Sequence, residues 1–189
     1  MILIVDNYDS FVYNLAQYVG EFAPVEVRRN DEIDVEGIRS FDPDGIIVSP
    51  GPGKPEDAGV SINVFAETDY PALGVCLGHQ ALCAAHDVSV GHAPEVIHGK
   101  PSEVRHDGAG LYAGLPDPFE VGRYHSLAVE RESLPSRLVE TAWTDDDREI
   151  LMGVRHADRP HVGVQFHPES ILTDAGKRII ENFCSTAVR

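Results

Sequence analysis

Apolar positions in this chain come in short blocks, and the spacing within the blocks changes along its length. Residues 2–5, Ile-Leu-Ile-Val, are a continuous apolar run of the kind that forms a strand buried on both faces. Behind them, Ser10 is a candidate cap for a helix carrying Phe11, Leu15, Tyr18 and Val19 on one face. Residues 25–28 read as a short edge strand. Residues 44–49 read as a second buried strand that stops at Pro50-Gly51-Pro52-Gly53, and residues 60–67 as a helix. A third apolar run, residues 72–75, leads straight into Cys76, and an Ala/Leu-rich helix follows over residues 80–85. Alternating signals of this kind predict an α/β fold, a doubly wound, mostly parallel sheet flanked by helices. Ligands then bind at the carboxyl ends of the strands. Asp6-Asn7-Tyr8, Pro50 to Gly53 and Cys76 all fall at such ends.

From residue 96 to residue 164 the pattern changes to additional short strands, separated by turn residues such as Asp107-Gly108 and Asp145-Asp146-Asp147. The last strand is expected over residues 162–166. A closing helix is expected over residues 173–187, with Ile179, Ile180 and Phe183 on its apolar side. No repeat, low-complexity tract or linker breaks the pattern, so residues 1–189 read as one domain.

Composition narrows the class. With 42% hydrophobic residues in 189, the chain can bury a sizeable core. No apolar run approaches the ~18–20 residues that span a bilayer. No basic segment precedes the first apolar run, which therefore reads as a strand rather than a signal peptide. Three cysteines form no paired framework and suit a reducing cytoplasm. The net charge is -16, from 31 acidic and 15 basic residues spread along the chain. A uniformly acidic surface repels nucleic acid. It also predicts adaptation to high salt, where the Debye length shrinks to ~3 Å at 1 M and self-repulsion is screened; the alternative is an ordinary acidic protein.

The candidate chemistry starts at Gly74-Val75-Cys76-Leu77-Gly78-His79-Gln80. A nucleophile between two glycines on a strand-to-helix turn is the layout of a nucleophile elbow, in which a Cβ at either flank would clash. The positive end of the next helix favours thiolate over thiol. The competing reading is a core cysteine. A cysteine nucleophile needs a base and a group that orients the base. Among nine histidines, His167 is best placed: it follows an apolar strand, Pro168 stiffens its turn, and Glu169 lies two residues on. Taken singly, His167 also fits a surface loop and Glu169 a helix start. Pro50-Gly51-Pro52-Gly53 offers bare backbone N–H groups for an oxyanion hole, completed by the N–H of Leu77; it also fits a plain rigid turn. Cys83 and Cys184 read as core. The histidines lack zinc-ligand spacing, and there is no P-loop or dinucleotide fingerprint, so no metal or cofactor is expected in this chain.

These segments resemble the class I (triad-type) glutamine amidotransferases, in order and over nearly the whole chain. Asp6-Asn7-Tyr8-Asp9-Ser10-Phe11, His98-Gly99-Lys100 and Arg123-Tyr124-His125-Ser126-Leu127 narrow the resemblance to glutaminase subunits of chorismate-using synthases, with anthranilate (tryptophan) synthesis the favoured reading and aminodeoxychorismate (folate) synthesis the alternative. The resemblance implies glutamine hydrolysis through a Cys76 thioester, with His167 and Glu169 completing the triad and Gly51, Pro52, Gly53 and Leu77 around the oxyanion. It implies that Gln80, Ser126 and Leu127 hold the glutamine; from the sequence alone Gln80 is a helix-surface amide and Ser126 a turn residue. It also implies a partner, component I of the synthase, which binds chorismate, uses Mg²⁺ and consumes the ammonia. The His98-Gly99-Lys100 loop resembles family elements near that interface. A cysteine hydrolase of similar fold is the less favoured alternative.

Overall fold

Ile2–Asp6 forms the first strand, β1, and is buried throughout. Its side chains alternate between two cores: Ile2 and Ile4 join one cluster, Leu3 and Val5 the other. That is the period-two geometry of a strand covered on both faces. The structure is a computed structural model and describes residues 1–93, 99–124 and 127–188. After β1 come α1 (Val12–Gly20), β2 (Val25–Arg29), α2 (Val35–Phe41), β3 (Gly45–Val48), α3 (Ser61–Glu67), β4 (Ala72–Val75) and α4 (Leu77–Ala84). The second half holds β5 (Val90–His92), β6 (Lys100–His106), β7 (Phe119–Arg123), β8 (Leu127–Val129), β9 (Leu138–Thr144), β10 (Leu151–His156), β11 (His161–Val164) and the closing helix α5 (Gly176–Ala187).

One sheet runs in the order β2-β1-β3-β4-β11-β10-β9-β6-β7, and β5 pairs with β8 in a separate ribbon. Strands β2, β1, β3, β4 and β11 are parallel. Beyond β11 the neighbours are antiparallel, so most of the short strands extend the main sheet. Helices α1 and α5 bring Val12, Leu15, Val19, Ile179, Ile180 and Phe183 to one core. Helices α2, α3 and α4 bring Ile38, Val64, Phe65, Ala81, Leu82 and Cys83 to the other. Helices on both faces of a parallel sheet are the doubly wound arrangement the alternation predicts. No helix among the described residues is long and apolar enough to cross a membrane.

One placement matters most for function. β11 is last in sequence yet lies beside β4, parallel to it, with Val164 level with Val75. The two strands therefore end at the same height, and the residues that follow each emerge side by side.

Three boundaries differ from the sequence pattern, each for a local reason. α1 starts at Val12 with Phe11 in the cap position and no side-chain cap bond, so Ser10 caps nothing. Phe11 is exposed, and the buried face is Val12, Leu15 and Val19. The residues before the helix are used instead to line a cavity. β11 stops at Val164, earlier than expected, and α5 starts at Gly176 rather than near Thr173. Thr173 is occupied elsewhere: its Oγ1 accepts from the Gly122 N–H at 2.9 Å and donates to the His167 carbonyl at 2.7 Å. α2 is a helix the apolar pattern does not announce, but Asp34 caps it by accepting from the Gly37 N–H at 2.8 Å.

Candidate active site

β4 runs into Cys76, and α4 begins at the very next residue. Cys76 has φ 52°, a left-handed value that strains a residue with a Cβ. The glycines on either side permit the turn. A Cβ at Gly74 would lie 2.3 Å from the Gly78 carbonyl oxygen, and one at Gly78 would lie 2.2 Å from the Val48 carbonyl oxygen. The turn is tied to β11 by the Cys76 N–H, which donates to the Val164 carbonyl at 2.9 Å.

Just past β11, His167 and Glu169 form a buried pair. Nδ1 of the imidazole donates to Glu169 Oε1 at 2.6 Å, which fixes the tautomer and leaves Nε2 as the ring nitrogen the carboxylate does not engage. Nε2 is buried without a partner of ordinary hydrogen-bond geometry. Burial opposes a charged His167, but hydrogen bonding and negative charge from Cys76 and Glu169 outweigh it and raise its pKa. The Tyr124 ring stands edge-on to the imidazole, with centroids 5.1 Å apart. The His167 N–H donates to the Gly122 carbonyl at 3.2 Å, and Thr173 holds the His167 carbonyl. The turn that carries His167 is thus clamped from two sides.

Cys76, His167 and Glu169 open onto one cavity of about 420 Å³, lined also by Tyr8, Asp9, Ser10, Phe11 and Asn14 and by Pro50, Gly51 and Pro52. The chain reaches this point from three strand ends, β1, β3 and β4, and from β11, as the carboxyl-end rule requires. The loop after β3 is braced from below. Asn7 Nδ2 donates to the Ser49 carbonyl at 2.8 Å, and its Oδ1 accepts from Ser61 Oγ at 2.7 Å and from Asn30 Nδ2 at 2.9 Å. A Cβ at Gly51 would fall 2.4 Å from the Asn7 carbonyl oxygen, so glycine there serves close approach.

Not every sequence-predicted site residue reaches the cavity. Gly51 and Pro52 line it; Gly53 does not. Leu77 is buried and lines a neighbouring cleft with Asn7 and Pro52. Gln80, read from sequence as a helix-surface amide, is buried: its Nε2 donates to the Leu127 carbonyl and to Gln165 Oε1, each at 3.2 Å. Leu127 thus contributes a backbone oxygen. Ser126, His98 and His125 lie outside the described residues; Gly99 has φ 65°, and Lys100 opens β6. Cys83 and Cys184 are core, and burial pushes their thiols up to about 12 and about 11.

The structure adds residues to which the sequence reading gave no role. Asp9 faces the cavity, with burial first and then the charge of Glu169 raising its carboxyl pKa. Gln165, fully buried, places its Nε2 3.5 Å from Cys76 Sγ. A polar residue inside the expected last strand, two positions before His167, was the available signal for Gln165.

Comparison with known proteins agrees with this geometry. The family profile described as glutamine amidotransferase class-I matches residues 3–187. The chain is 75% identical to an anthranilate synthase component II from Haloarcula marismortui over 185 residues, covering 98% of this chain and 97% of that protein. It is 51% identical to anthranilate synthase component 2 of Pseudomonas aeruginosa, covering 97% of this chain and 94% of that one. Among solved structures, a putative GMP synthase protein from Thermoplasma acidophilum superposes with a TM-score of 0.87 at 25% identity, covering 98% of this chain and 92% of that chain.

Proposed function

Because the chain belongs to the class I glutamine amidotransferases, we propose that it is the glutaminase subunit of an anthranilate synthase, supplying ammonia for tryptophan synthesis. The observation that carries this reading is a buried His167–Glu169 pair beside an elbow cysteine, in a chain 75% identical to an anthranilate synthase component II.

In this reading the Cys76 thiolate attacks the side-chain carboxamide carbon of glutamine. The charge that develops on oxygen meets backbone N–H groups of the 51–53 loop and of Leu77. Leu77 is the first residue of α4, so the helix does not use its N–H. The cationic His167 gives its Nε2 proton to the departing nitrogen, and ammonia leaves a glutamyl thioester. The now neutral imidazole takes a proton from water, the hydroxide adds to the thioester, and glutamate leaves as the thiolate returns. Glu169 holds the imidazole and stabilises its cation throughout. Gln80, Ser126 and Leu127 are assigned to the glutamine.

Ammonia released into water would be protonated and lost, so an acceptor must sit over the cavity mouth. Phe11, Tyr8 and Ile171 line that mouth while 56%, 50% and 92% exposed, which supports an apolar docking rim for component I. Mg²⁺ and chorismate are assigned to that partner. Co-purification from the native source is expected to recover a larger chorismate-binding chain, and the pair is expected to form anthranilate from chorismate and glutamine. Aminodeoxychorismate as the product would redirect the reading to folate synthesis.

The net charge of -16 supports one further element, an acidic surface adapted to high salt. Raising KCl from 0.1 M to 1 M shortens the Debye length from ~10 Å to ~3 Å. The melting temperature is expected to climb over that range; an equal melting temperature in dilute buffer overturns the idea.

A further inference from the structure

We infer that Gln165 is a catalytic residue of this site: its side-chain amide donates to the Cys76 sulfur, and Gln80 with the Leu127 carbonyl holds it in that orientation. The inference rests on Cys76 being the nucleophile, as proposed above.

Gln165 lies just past β11 and is fully buried, with its backbone N–H donating to the Met152 carbonyl at 2.9 Å. An amide withdrawn from water must find partners or destabilise the fold. Its two ends are similar in shape, so only neighbours decide which points where. Here the decision starts from a group that cannot change role. The Leu127 carbonyl only accepts, so the end of Gln80 that meets it at 3.2 Å is the NH₂. That same NH₂ gives its second proton to Gln165 at 3.2 Å, so the facing atom of Gln165 is its oxygen. The NH₂ of Gln165 is then left on the far side, 3.5 Å from Cys76 Sγ. The backbone carbonyl of β8 therefore sets the polarity of a relay that ends on the sulfur.

A donor on sulfur acts selectively. A neutral thiol is a weak acceptor, whereas a thiolate accepts with a full charge, so the contact strengthens when the proton leaves. It also restrains the sulfur in one place. Cys76 Sγ is thus held by Gln165, and Gln80 is a positioning residue that works through Gln165.

The test is alkylation of the full-length chain by iodoacetamide without glutamine, followed across pH, with the Cys76 adduct read by mass spectrometry. Cys83 and Cys184, 0% and 3% exposed, react slowly and do not obscure it. Gln165→Met keeps the length of the side chain and removes both polar ends. It is expected to slow alkylation at pH 7 by about tenfold, the scale of one hydrogen bond to a charged group. The gap should narrow as the medium becomes alkaline, because hydroxide then removes the thiol proton whether or not the amide is there to stabilise the anion. A parental pH profile in a variant that melts like the parent overturns the proposal and leaves Gln165 a core-filling residue. Gln80→Met, which releases the orientation of Gln165 without touching the sulfur, is expected to slow alkylation at pH 7 in the same direction. If Gln165→Met does not fold, a parental profile for Gln80→Met overturns the proposal instead. A shifted profile together with a Cys76→Ser complex that still uses glutamine would mean the contact is real but the nucleophile lies elsewhere.

Discussion

Cys76→Ser in the complex with component I is expected to lose glutamine-dependent anthranilate formation by about 10⁴-fold or more, in line with removal of a nucleophile from a triad. Synthesis from added ammonium salt should continue at the parental rate. The two halves of the result separate the chemistry of this chain from that of its partner. Serine has nearly the shape of cysteine, so the elbow, the cavity and its exposed apolar rim should persist. What changes is the attacking atom, because a hydroxyl is ionised far less readily than a thiol and the site is built for a sulfur anion. His167 depends on the same sulfur: hydrogen bonding to Cys76 and Glu169, and then their negative charge, raise its pKa against the cost of burial. Removing the sulfur lowers the fraction of His167 that carries the proton needed by the leaving ammonia. Undiminished turnover of glutamine would show that Cys76 is not the nucleophile. Loss of the ammonia reaction as well would show that the substitution had damaged the complex.

Gly78→Ala is expected to cost about 3 kcal/mol or more, the upper range for overpacking a dense interior, and to lower the melting temperature by roughly 6–12 °C for a chain of this size. Gly78 lies within α4, where alanine would normally add about 1 kcal/mol of stability through propensity. Contact outweighs propensity here. The new Cβ would sit 2.2 Å from the Val48 carbonyl oxygen and 2.9 Å from its carbon, and both belong to a buried strand that cannot swing aside. Either α4 or β3 must move, and α4 begins directly behind Cys76. A shift of about 1 Å at a reacting atom costs on the order of 10²-fold in rate, so glutamine-dependent activity should fall even at temperatures where the variant is folded. Gly91→Ala is the control. Its Cβ would meet nothing within 4 Å, so its stability should stay within about 0.5 kcal/mol of the parent. A Gly78→Ala protein as stable and active as the control would mean the close approach of α4 to β3 is not what builds the elbow.

Much of this site was legible one segment at a time, and the failures are instructive. The apolar runs that became β1, β3 and β4 needed no partner information, because a strand covered on both faces declares itself as continuous hydrophobicity. Cys76 between glycines announced a turn whose steric demand the Gly74 and Gly78 contacts bear out. Ser10 misled because a capping residue and a cavity-lining residue look alike until the next helix is placed. α2 was missed because it is short and buries only Ile38, so its apolar stripe is nearly absent. Gln80 read as an exposed amide because the residues that bury it, Gln165 and Leu127, come from distant parts of the chain.

By itself, then, the sequence determined the alternation of elements, the strained cysteine turn and the types of residue available for acid–base work. These depend on backbone sterics and side-chain chemistry within a few residues, which local order specifies. The tertiary structure alone decided that β11 returns to lie parallel beside β4, bringing His167 and Gln165 to Cys76 and turning Gln80 inward. Strand pairing is settled by burying both faces of the whole sheet at once, and no local stretch of chain carries that information.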